Sequence, residues 1–109
     1  MSTGLRGSGN YTVLALYGAA MFEFDADKSA ANLAKHGIDF VEAQALWADD
    51  RLTDIGAVEY GGETRRLYVE EWRGKRWTAV VTERGERIRL ISVRRARSSE
   101  EMAYDRAGI

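Results

Sequence analysis

Thr82–Ala96, TERGERIRLISVRRA, decides how the rest of the chain is read. Arg84-Gly85 marks a tight turn, and Ile88, Leu90, Ile91 and Val93 give the following strand the β-branched and aliphatic bulk of a buried sheet element. The same stretch gathers Arg84, Arg87, Arg89, Arg94 and Arg95, with Arg97 directly after it. Planar, permanently charged guanidinium forks grouped on one sheet point to a phosphate-bearing partner, against the plainer reading of an edge strand protected by charge.

Working outward, two further strands precede it. Arg65–Glu70 alternates Leu67 and Val69 with Arg66 and Tyr68, and Arg76–Thr82 carries Trp77, Ala79 and Val81. The turns at Arg73-Gly74 and Arg84-Gly85 make these an antiparallel meander. Upstream, Arg51–Ile55 is a short strand candidate and Gly56–Thr64 a loop or wide hairpin connection. Met21–Asp25 alternates apolar and acidic residues as a half-buried strand does, and Asp25 stands where a helix N-cap belongs. Ala26, Ala30, Leu33 and Ala34 then form a narrow apolar helix face ending at Lys35-His36-Gly37. Asp39 with Glu42 starts a second helix, with Phe40, Ala43, Leu46 and Trp47 as its buried stripe. Ser98 with Glu101 starts a terminal helix with Met102 and Tyr104 turned inward. The expected fold is α+β: two N-terminal helices and a C-terminal helix packed on an antiparallel sheet of three to four strands, one sheet face left open.

The chain has 109 residues, the size of one domain, with 45% hydrophobic and 30% charged residues. Without cysteine and with one histidine, it has no disulfide and no evident metal site, and no cofactor is expected. The net charge of −1 hides a division. Met21–Glu63 holds ten acids against three bases, and Thr64–Arg97 eleven bases against four acids. A basic half beside an acidic half creates a local field suited to nucleic acid. Residues 1–20 differ again, with four glycines and no acid; they read as a leader or extended start, or as an extra edge strand at Tyr11–Tyr17, before a domain at 21–109. Their apolar run is too short to span a bilayer, so no membrane association is expected.

Three blocks resemble the BrnT toxins of bacterial type II toxin–antitoxin modules: FEFDADKSAANLAKHGIDFVEA (Phe22–Ala43), GETRRLYV (Gly62–Val69) and TERGERIRLISVRRA. The resemblance implies a RelE-like fold and a cytoplasmic endoribonuclease that inhibits translation. It also implies a BrnA-like ribbon-helix-helix antitoxin, through which alone the toxin would meet operator DNA. Carried over by motif position, Arg65 and Arg94 are the candidate catalytic arginines, and His36, on the K-H-G histidine, is a third candidate. Phe24, Glu70, Val81 and Glu101 depart from the family pattern, and Val81 replaces a His or Tyr able to stack or transfer a proton.

Cleavage of RNA without metal needs a base near the 2′-hydroxyl, cations on the scissile phosphate and an acid near the departing oxygen. Arg65 and Arg94 fit the cationic role. Arg76, Arg87, Arg89 and Arg95, with Lys75, are the candidates for holding the RNA backbone. His36 could be a general acid or base, but it reads more readily as a helix C-terminal cation or packing residue. Glu83, Glu86 and Glu100 are candidate bases that their spacing does not separate. Because Leu90-Ile91 are both apolar, alternation leaves the faces of Arg89 and Arg94 unassigned. The second functional reading is a non-catalytic module whose basic sheet binds an antitoxin or nucleic acid.

Overall fold

The computed structural model describes residues 12–17 and 20–108. The reading of residues 1–20 as a leader therefore falls largely outside the described residues. The elements are β1 (Thr12–Tyr17), β2 (Ala20–Asp25), α1 (Ala26–His36), a 3₁₀ helix (Glu42–Ala48), β3 (Thr53–Tyr60), β4 (Glu63–Trp72), β5 (Lys75–Arg84), β6 (Arg87–Arg95) and α2 (Ser98–Ala107). They form one six-stranded sheet in the order β1-β2-β6-β5-β4-β3.

This corrects the expected antiparallel sheet of three to four strands under two N-terminal helices. The sheet is mixed: β2 runs parallel to β6 through Met21–Glu23 and Arg87–Arg89, while every other pair is antiparallel. Only one of the two N-terminal helices is an α-helix. Asp39 and Glu42 do exchange reciprocal side-chain to backbone hydrogen bonds, at 2.8 and 3.1 Å, but the helix they open is 3₁₀. The sequence carries the reason: Phe40, Ala43 and Leu46 recur every third residue, the period of a 3₁₀ turn, and all three are fully buried.

β3 also extends through the segment expected to be a loop. A bulge between Asp54 and Gly56 absorbs the irregularity, and the turn falls at Gly61-Gly62. Both of these glycines have positive φ, 59° and 81°, as a two-residue hairpin turn requires.

α1 begins and ends as its sequence dictates. The Asp25 carboxylate accepts hydrogen bonds from the Asp27 and Lys28 N–H groups, and Gly37 closes the last turn in the left-handed region with its N–H on the Leu33 carbonyl. Its inner face is not the expected one. Ser29 and Asn32 are buried, whereas Leu33 is 46% exposed. The polar side chains go inward because they satisfy backbone there. The Ser29 hydroxyl accepts from the Phe40 N–H at 2.9 Å. Asn32 donates to the carbonyls of Ile38 (2.7 Å) and Val93 (2.8 Å) and accepts from the Val93 N–H (3.1 Å). Where β2 stops, α1 thus supplies the hydrogen-bond partners that a neighbouring strand would give to β6.

The core lies between the sheet and the α1–3₁₀ layer: Phe22, Phe24, Ile38, Phe40, Ala43, Leu46, Trp77, Ala79, Val81, Leu90 and Val93, with Trp47 edge-on to Phe22. Trp77 is a core residue, as its alternation indicated. α2 is capped by Glu100, whose carboxylate accepts the Arg97 N–H at 2.8 Å, and not by Ser98 with Glu101. Tyr104 is buried, but Met102 is 59% exposed rather than packed inward.

Candidate nucleic-acid interface

Strand alternation and register sort the arginines. Phe22, Ile88, Leu90 and Val81 point to the helical layer, so Glu23, Arg87, Arg89, Thr82 and Arg84 stand on the opposite face. Between Val81↔Leu90 and Val80↔Ser92 the register slips by one, leaving Ile91 as an extra residue. This bulge reverses the alternation of β6 and puts Arg94 on the same face as Arg87 and Arg89. Arg65, opposite Val58 on β4, shares that face. α2 covers one end of it, over Val69 and Thr78, and leaves the rest open.

Three arginines of this face converge on one carboxylate. Glu23, only 4% exposed, receives Arg89 at 3.0 Å, Arg87 at 3.4 Å and Arg84 at 3.6 Å. Burial pushes its carboxyl up, but hydrogen bonds from Arg89 and Arg87 and the charges of Arg89 and Arg84 outweigh that and hold it below the usual carboxylate range. Three guanidinium groups around one carboxylate leave a net positive cluster. Arg65 is tethered through Nε to Glu63 at 3.2 Å and lies over the Tyr60 ring at 4.3 Å.

Arg94 is held differently. Its fork makes a bidentate pair with Glu100, Nη1 to Oε1 at 2.8 Å and Nη2 to Oε2 at 2.9 Å. The Thr78 hydroxyl adds a third bond to that carboxylate at 2.9 Å. The Arg94 hydrogen bonds, opposed by burial and aided by the Arg97 N–H and Thr78, bring the Glu100 pKa down to about 2. Glu100 is thus an ion-pair partner and helix cap, with none of the character of a base. Arg65 and Arg94 share a face but not a neighbourhood. The register sets them two strands and four residues apart, roughly 16 Å at ~4.8 Å per strand and ~3.3 Å per residue.

The remaining candidates scatter. Arg76 pairs with Asp105 of α2 at 2.7 Å and lies over Tyr104. Arg95, opposite Trp77, is turned to the helical side, its guanidinium 5.9 Å from the Trp77 ring centroid. His36 ends α1 beside Lys35, bordering a small surface groove with Asn32, Ile91 and Ser92. Burial first, then the charges of Lys35 and Arg94, push its pKa below 6.5, which favours the neutral imidazole at neutral pH. Among the described residues, no three His, Asp or Glu side chains are grouped to hold a metal ion, and no helix is long and apolar enough to cross a membrane.

Sequence reasoning missed Glu23 as the hub of the basic face. The alternation of Met21–Asp25 already turned it away from Phe22 and Phe24. What was lacking was the parallel pairing with β6, which no local signal announces. It also missed that Glu100 would be the partner of Arg94, six residues away across a strand-to-helix junction.

No curated protein matches the chain by sequence comparison. The family model described as "Ribonuclease toxin, BrnT, of type II toxin-antitoxin system" matches residues 24–100, which include α1, the whole β3–β6 meander and the first turn of α2. With that match spanning most of the chain and the basic open sheet face inside it, the chain belongs to the BrnT family of type II toxin–antitoxin ribonuclease toxins.

Proposed function

We propose that this chain is an endoribonuclease that inhibits translation by cutting RNA without metal. The 2′-hydroxyl attacks the adjacent phosphorus and the 5′-oxygen leaves, so the products carry a 2′,3′-cyclic phosphate and a 5′-hydroxyl. A BrnA-like ribbon-helix-helix antitoxin neutralises it by covering the open face. The observation that carries this reading is the convergence of Arg65, Arg84, Arg87 and Arg89 from three adjacent strands onto the part of the sheet face that α2 leaves uncovered among the described residues. Such a face binds the RNA backbone and stabilises charge growing on a phosphate. Arg65 presents its guanidinium there directly. Arg94 reaches a phosphate only by exchanging Glu100 for it, and neutral His36 is the proposed proton acceptor at that end of β6.

The bidentate Arg94–Glu100 pair also favours a second reading, in which the basic face binds without cutting. The test is cleavage of a defined RNA by purified, antitoxin-free protein, with and without chelator, alongside Arg65→Ala and Arg94→Ala. Each variant should lose roughly a hundredfold in rate, with chelator without effect and the folds verified by circular dichroism. Full cleavage by both variants would remove them from the site. Activity only with added metal would overturn the mechanism, and binding without cleavage would establish the second reading.

A further inference from the structure

Thr82 has a place on the open face that its chemistry does not otherwise explain. It is 4% exposed, and its hydroxyl oxygen is buried with no hydrogen-bond partner among the described residues. A hydroxyl in that state costs stability, and a valine of the same shape would avoid the cost. Its neighbours are two arginines. Thr82 opposes Arg89 on β6, and one step beyond the Arg66↔Val81 pair the same register sets it opposite Arg65 on β4. Across three adjacent strands the row therefore reads Arg65, Thr82, Arg89, with the two outer Cα atoms about 10 Å apart at ~4.8 Å per strand.

Both arginines are anchored but not used up. Arg65 gives Nε to Glu63, and Arg89 gives one Nη to Glu23, leaving their other N–H groups with no acceptor among the described side chains. Among the described residues no helix covers the face at this point, and the side chains that shield the Thr82 hydroxyl are those flanking it in the row and along β5.

We propose that Thr82 is the floor of a phosphodiester subsite. One RNA phosphate enters between the Arg65 and Arg89 guanidinium groups, which part around it, and a phosphate oxygen accepts the Thr82 O–H. Glu23 and Glu63 are positioning residues that hold the two forks on either side of the phosphate. This assignment rests on the ribonuclease reading and adds to it a phosphate ligand in addition to the motif arginines.

The experiment uses the full chain with two fluorescent probes: an RNA oligonucleotide and its 2′-deoxy counterpart, which carries the phosphates but lacks the attacking hydroxyl. Thr82→Val should melt at the wild-type temperature or above it. It should nevertheless bind the 2′-deoxy probe and cleave the RNA about tenfold less well, the worth of one hydrogen bond to a charged group. Thr82→Ser, which restores the hydroxyl, should recover most of both. Wild-type affinity and cleavage in Thr82→Val would overturn the subsite while leaving the ribonuclease reading intact. Equal losses in Thr82→Val and Thr82→Ser would assign Thr82 to packing and overturn it as well. A wild-type protein that neither binds the 2′-deoxy probe nor cleaves RNA would overturn both the subsite and the reading beneath it.

Discussion

At the scale of single residues, Glu100 shows how one carboxylate ties distant parts of the chain. It caps α2 through Arg97, fastens β6 through Arg94 and reaches β5 through Thr78. Its pKa falls from 4.5 to about 2 on folding. For a carboxyl depressed in this way the unfolded chain takes up the proton first. The stability it contributes is whole above pH 4.5 and drains away as pH falls toward 2. Glu23, also depressed by its arginines, changes in the same sense. Urea unfolding between pH 6 and pH 2.5 should therefore show a steep acid loss in the wild type and a shallower one in Glu100→Gln. Parallel profiles for the two proteins would show that the pair does not hold the fold. The same contact bears on Arg94→Ala, which leaves Glu100 buried without its main partner and should cost roughly 2 kcal/mol. Its activity is to be read only beside its melting curve.

At the scale of elements, α1 does work that its hydropathy hides. Its inner face is defined by Ser29 and Asn32, and the Asn32 amide completes the hydrogen bonding of Val93 at the uncovered side of β6. Asn32→Ala should cost roughly 2–4 kcal/mol in urea unfolding, because it strands buried N–H and C=O groups. Asn32→Asp should cost at least as much, since it sets a carboxylate against the carbonyls of Ile38 and Val93. Leu33→Ala, on the exposed face, should stay within about 0.5 kcal/mol. The reverse order would restore the apolar face as the buried one.

The contrast shows what the sequence disclosed about these elements. Features fixed within a few residues were legible: the Asp25 cap, the Gly37 stop, the Asp39–Glu42 box, the glycine turns and the inward alternation of Trp77, Ala79 and Val81. Features fixed by partners far along the chain were not. Ser29 and Asn32 look solvent-facing until Phe40 and Val93 are set against them, and the Ile91 bulge that returns Arg94 to the face of Arg89 is hidden in an all-apolar dipeptide. The candidate site was legible as a class of residues, clustered arginines, but not as a geometry. Arg95 left the face and Arg76 is tied to Asp105 at the end that α2 covers, while Glu23 and Thr82 joined it unannounced.

At the scale of the whole molecule, the sheet joins a local part to a non-local one. β3 to β6 form a meander whose turns span two residues each, at Gly61-Gly62, Arg73-Gly74 and Gly85-Glu86. β2 instead reaches β6 across most of the chain: Glu23 bonds Arg87 and Arg89, 64 and 66 residues later. Local pairings form before those that close long loops. Pulsed hydrogen exchange during refolding should therefore protect amides of β4 and β5 before those of β2. Simultaneous protection would indicate that the sheet assembles in one step.

That three-residue parallel seam also has a meaning in time. A protein is made from its N-terminus, so β2 leaves the ribosome long before the strand it must join exists. Until Arg87–Arg89 has been synthesised and has folded back beside it, Glu23 has no guanidinium groups to gather and the basic face is not assembled. A ribonuclease toxin built this way is unfinished, and unarmed, until β6 has been made and has folded back onto β2.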